Sequence, residues 1–99
     1  MFGSNNLDVL VRIVSATPKE YVSGLKQAVP NGVVVNGNEI TVESGAVSIH
    51  IAIEILPDYV IALMRLPSLQ ATWTFQSGSH EERAECLHRI DWSMKRGGG

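Results

Sequence analysis

Ninety-nine residues are enough for one domain and one hydrophobic core. Hydrophobic residues make up 44% of the chain and charged residues 18%, with a net charge of −2, too balanced for nonspecific binding to nucleic acid. The single cysteine, Cys86, excludes an intrachain disulfide framework, and no uncharged apolar stretch reaches the roughly 18 residues of a membrane-spanning helix.

Residues Met1 to Asn6 show neither a basic nor an apolar leader region, so the expectation is a soluble, cytoplasmic protein with no secretory signal. Residues 1–6 and the glycines at 97–99 are expected to be flexible, leaving 7–96 as a single domain.

Leu7 to Ser15 alternates with the period of a strand, and Leu7, Val9, Val11 and Ile13 are read as its core face. Thr17-Pro18-Lys19-Glu20 then opens a helix, with Thr17 as cap, proline at the first helical position and Glu20 closing a capping box. The helix runs through Tyr21, Val22, Leu25, Ala28 and Val29 to a stop at Pro30-Asn31-Gly32.

Val33 to Gln76 reads as strand, divided into five segments at Asn36-Gly37-Asn38, Ser44-Gly45, Pro57-Asp58 and Pro67-Ser68. Tight loops at those points pair Val35 with Ile40, Val33 with Val42, and Val42 with Val47. They also carry Ile49, Ile51, Ile53, Ile55, Val60, Ala62, Met64, Leu66, Leu69, Ala71, Trp73 and Phe75 onto one face. Ser79 and Glu82 form a second capping box, and the helix after it shows a stripe of Leu87, Ile90 and Met94 bordered by Cys86 and Ala84. Ile51, Ile53, Ala62, Met64, Trp73, Leu87 and Ile90 are therefore expected to lie buried together.

The order β-α-β-β-β-β-β-α implies an α+β two-layer sandwich, an antiparallel meander with both helices on one face. In element order it resembles helix-grip folds, whose larger members enclose apolar ligands between sheet and helix. The terminal Gly97-Gly98-Gly99 resembles the diglycine tails of ubiquitin-like modifiers, but it follows a predicted helix where those tails follow a strand.

Candidate chemistry is sparse. Glu81, Glu85, His88 and Trp92 share one helix face, with Glu85 and His88 at the i, i+3 spacing of carboxylate–histidine metal sites. Only His50 could add a further histidine, so a solvated face with a Glu81–Glu85–Arg89 charge ladder is the simpler reading, and Trp92 stands out as a contact residue. Cys86 and His88 diverge by about 200° around the helix and cannot form a thiol–base pair. No nucleophile-elbow serine and no phosphate-binding glycine loop occurs. No catalytic residue, cofactor or metal is expected.

The outer sheet face is more informative. Leu10 and Val14 of the first strand, with Ala52, Leu56, Tyr59, Ile61 and Leu63, are expected to form an apolar patch rimmed by Arg12, His50, Glu54, Arg65, Thr72 and Thr74. The reading is a small soluble binding or assembly module, self-associating as a homodimer through that patch, or alternatively engaging another protein there. A ligand-binding or enzymatic domain, with an apolar pocket between the C-terminal helix and the sheet, is the competing reading.

Overall fold

The two helices begin where their capping residues place them. In the computed structural model, which describes residues 8–97, Thr17 Oγ1 accepts the Glu20 N–H at 3.1 Å and the Glu20 carboxylate accepts the Thr17 N–H at 2.9 Å. This box opens α1 (Pro18–Ala28). Ser79 and Glu82 repeat it at 3.1 and 2.8 Å to open α2 (His80–Gly97). Each box satisfies two amides that a helix start otherwise leaves without partners.

The strands are β1 (Val9–Val14), β2 (Val33–Asn36), β3 (Glu39–Ser44), β4 (Val47–Ile61) and β5 (Met64–Phe75). They form one antiparallel sheet in the order β1-β5-β4-β3-β2, with both helices packed on one face. The α+β class and the two-layer sandwich are therefore as expected. Val33 pairs with Val42 and Val35 with Ile40, as the Gly37-Asn38 turn requires. The next turn is Gly45-Ala46 rather than Ser44-Gly45, so Val42 pairs with Ile49 and Ser44 with Val47. A displacement of two residues leaves every side chain on its expected face.

Val47, Ile49, Ile51 and Ile53 of β4 meet Leu69, Ala71, Trp73 and Phe75 of β5 on the inner face, under Tyr21, Leu25 and Val29 and under Cys86 and Ile90. Leu87 and Met94 pack at the border of this core. Among the described residues, no buried side-chain nitrogen or oxygen lacks a hydrogen-bond partner.

Three expectations are corrected. The meander holds four strands rather than five segments, because Pro57-Asp58 and Pro67-Ser68 lie within strands and the tight turn falls at Ala62-Leu63. Ala62 and Met64 are consequently exposed at the end of a hairpin and take no part in the core. The faces of β1 are also inverted. Leu10, Arg12 and Val14 stand opposite Trp73, Ala71 and Leu69 on the helix side, so Leu10 and Val14 pack against the core while Val9, Val11 and Ile13 are exposed. Arg12 can occupy the inner face because it stands opposite small Ala71 and finds a carboxylate on α2. The expected flexibility of 1–6 and of Gly98-Gly99 lies outside the described residues, and Gly97 is the last residue of α2.

Candidate functional site

Unequal strand lengths create the most distinctive surface of the molecule. β3 accompanies β4 only as far as Ala52, and β1 accompanies β5 only between Leu69 and Thr74. Beyond those points β4 and β5 continue alone as a two-stranded arm, roughly Ile55 to Leu66, closed by Ala62-Leu63. Ala62 adopts a φ of 52° to make that turn. A two-stranded ribbon without a covering layer is only marginally stable in water.

One extra β4 residue bulges at Pro57-Asp58, where the register passes from Leu56 opposite Ser68 to Tyr59 opposite Leu66. The bulge brings Leu56, Tyr59 and Ile61 onto the outer face beside Leu66 and Met64. Val60 pairs with Arg65 on the helix side, following Ile55. Six consecutive residues, Tyr59-Val60-Ile61-Ala62-Leu63-Met64, carry no charge, and Leu63 at the tip is 101% exposed. The Arg65–Asp58 ion pair, at 4.0 Å and open to water, contributes little to holding the ribbon.

Both free edges of the arm are capped by proline. Along β4 the odd-numbered amides point toward β3, as the Ile53 N–H does to the Asn38 carbonyl, and Pro57 takes the same parity on the uncovered edge. Pro67 presents its carbonyl to the β1 side, where Ser15 Oγ donates to it at 3.1 Å. Neither proline therefore removes a bond within the ribbon, and each removes a donor from an open edge.

At the base of the arm lies a half-open cleft of about 800 Å³. Val14, Gly24, Leu66, Pro67 and Met94 supply apolar wall, and Lys19, Gln27 and Lys95 supply polar wall. It sits at the end of the sandwich. Between α2 and the middle of the sheet, Trp73, Ile51, Cys86 and Ile90 are packed with at most 1% exposure.

A second polar constellation escaped the sequence reading. Arg12 donates through both Nη atoms to Asp91 at 2.6 and 2.8 Å, and its guanidinium lies 5.4 Å from the centroid of Trp73. Trp73 Nε1 donates to the Tyr21 hydroxyl at 2.9 Å. The hydrogen bond to Asp91 raises the Arg12 pKa against the opposing cost of burial, and burial raises that of Tyr21. Arg12 and Asp91 bond each other and the Trp73 N–H has its acceptor, so the cluster acts as a staple from edge strand to helix rather than as a reactive centre. The only sequence signal for it was an arginine inside an apolar strand.

The predicted patch is brought together only in part. Leu56, Tyr59 and Ile61 share the outer face of the arm, Leu63 occupies its tip, and Ala52 lies on the outer face of the sheet body. Leu10 is on the opposite face, against the core. On α2, Glu81, Glu85 and His88 are exposed, and Trp92 is 57% exposed on the same helix. Arg89 bonds Ser44 at 3.2 Å, a contact the charge ladder did not anticipate. Among the described residues no three His, Cys, Asp or Glu side chains are placed to hold a metal ion. Cys86 is buried and free, whereas His88 is exposed. Also among the described residues, no helix is long and apolar enough to cross a membrane. No protein-family model, curated protein or solved structure matches the chain.

Proposed function

We propose that the chain is a small binding and assembly module without catalytic activity, that it works as a homodimer, and that the arm is its contact element. One observation carries this reading. On the helix side of β4, Ile53 is 7% exposed, while Ile55, two residues further on, is 64% exposed because neither helix reaches it. The core face thus runs on without cover into the arm, and a contiguous apolar surface of that kind marks an interaction site. The absence of charge from Tyr59 to Met64 favours a protein surface over nucleic acid, whose phosphates demand cations. A lone, buried, unpaired cysteine suits a reducing compartment, and we assign the protein to the cytoplasm.

The cleft at the arm's base favours a second reading, a ligand-binding domain. Against it, the tightly filled space between α2 and the sheet leaves no room for the apolar pocket that reading first required. Sedimentation equilibrium at tens of micromolar separates the two. A species of twice the 10.8 kDa chain mass is expected, and Leu63→Glu should return it to monomer with an unchanged circular dichroism spectrum. Leu63 makes no core contact, so loss of the dimer cannot be ascribed to unfolding. A wild-type monomer at 100 µM would overturn the proposal.

A further inference from the structure

We infer that the sheet face opposite the helices is a docking site for a basic amphipathic helix of another protein, a site separate from the arm's tip. Charge is divided between the two sides of the molecule. Arg12, held by Asp91, and Arg65 stand on the helix side of the sheet, and Lys19, Lys26, Arg83, Arg89 and Lys95 belong to the helices. Among the described residues, the outer face therefore carries no lysine or arginine, yet Glu39, Glu43 and Glu54 stand exposed on it. Glu39 bonds His50 at 3.0 Å, while Glu43 and Glu54 have no ion-pair partner among the described residues. On the same face, Val9, Val11 and Ile13 of β1 are 54%, 56% and 63% exposed, where an antiparallel sheet facing water normally turns polar residues outward.

The register sets these groups in rows. Ile13 stands opposite Gln70 and Gln70 opposite Glu54, and the next row is Val11, Thr72, Ala52 and Glu39. At the spacing of neighbouring strands, the apolar stripe and the carboxylates lie about 10 to 14 Å apart, with the small side chains of Thr72 and Ala52 between them. That separation is about the width of one α-helix with its side chains, and the run from Val9 to Ile13 is about as long as nine helical residues. A helix lying there sets apolar side chains against β1 and lysine or arginine against Glu39 and Glu54. The same charges exclude other occupants. A second copy mating by this face would bring the carboxylates of both copies into one interface, and one mating by its helix layer would make a head-to-tail contact that does not close. Nucleic acid and anionic lipid are repelled. An added strand would need free backbone groups, which the ladders of β3, β4 and β5 already use.

A model helix tests the site. The probe is a fluorescent peptide of about 14 residues, four helical turns, with leucine at i, i+3, i+4 and i+7 and lysine elsewhere. Saturable binding of one peptide per chain is expected in fluorescence anisotropy at physiological salt. Glu39→Lys with Glu54→Lys should weaken it at least about tenfold, and Glu81→Lys with Glu85→Lys, the same charge change on α2, less than about twofold. Val11→Asp adds a carboxylate but interrupts the apolar stripe, so it should weaken binding too. Each of these changes falls on an exposed side chain, and the circular dichroism spectrum should stay that of the wild type. Leu63→Glu, at the tip of the arm, should leave binding unchanged. No binding at 200 µM would overturn the site. Equal weakening by the α2 pair, or tighter binding by Val11→Asp, would overturn it by showing attraction of charge alone. Loss of binding in Leu63→Glu would move the peptide to the arm and overturn it while leaving the arm's role as contact element intact. A wild-type monomer that binds the peptide as expected would overturn the arm dimer and leave this site standing.

Discussion

Trp73 is fully buried, and its indole N–H has one acceptor, the Tyr21 hydroxyl. Tyr21→Phe keeps the ring and leaves that donor buried without a partner, which should cost about 1–3 kcal/mol in urea unfolding. The same pair sets an alkaline limit. Burial raises the Tyr21 phenol above its ordinary value of 10, so the folded chain keeps a proton that the unfolded chain releases. Tyr21's contribution is therefore fully present below about pH 10 and falls as the pH rises beyond it. The gap in melting temperature between wild type and Tyr21→Phe should narrow from pH 9 to pH 11; a constant gap would refute the linkage. Arg12 with Asp91 is a separate case, bidentate but part-exposed. A double-mutant cycle of Arg12→Ala and Asp91→Ala is expected to return a coupling of about 1 kcal/mol, weakened by salt. Neither pair was legible in the sequence. Every position of β1 except Arg12 is apolar, so periodicity could not choose its inner face, and Asp91 lies 79 residues away.

Elements defined by local chemistry were legible. Thr17 with Glu20, Ser79 with Glu82, and Gly37-Asn38 each set a boundary through bonds within a few residues. Proline misled, because its usual meaning as a strand breaker assumes strands with neighbours on both sides. Pro57 and Pro67 stand where one side is open, and there a missing donor costs the sheet nothing. The candidate site shared this fate: Leu56, Tyr59 and Ile61 could be named from their apolarity, but the arm that gathers them depends on that proline placement and on the bulge. A functional expectation follows for the edges. Pro57→Val with Pro67→Val should preserve the fold and restore two outward donors to an apolar ribbon. Light scattering should then register open-ended association above the dimer, where the wild-type chain stops at two. An unchanged size distribution would show that the prolines do not guard the edges.

For the whole molecule, the body and the arm differ in what holds them. The body buries β4 and β5 under two helices, and its amides should open only with global unfolding. The arm has a ladder between Tyr59–Ile61 and Met64–Leu66 but no layer over either face. In a lone chain those amides should exchange within the range of local opening, because a two-stranded ribbon is marginal. A partner that covers the arm adds its binding free energy to every opening that destroys the interface, local opening of the arm and global unfolding alike. Hydrogen exchange measured at 1 µM and at 200 µM should therefore show protection rising with concentration at Tyr59, Ile61, Met64 and Leu66. Ile49, Ile51 and Trp73 should start from far higher protection in the monomer, because they open only with global unfolding, and rise by a similar increment. The Leu63→Glu chain should show low arm protection at both concentrations. Equal protection of the wild-type arm at both, in a protein that sedimentation resolves as monomer and dimer, would mean that association uses some other surface.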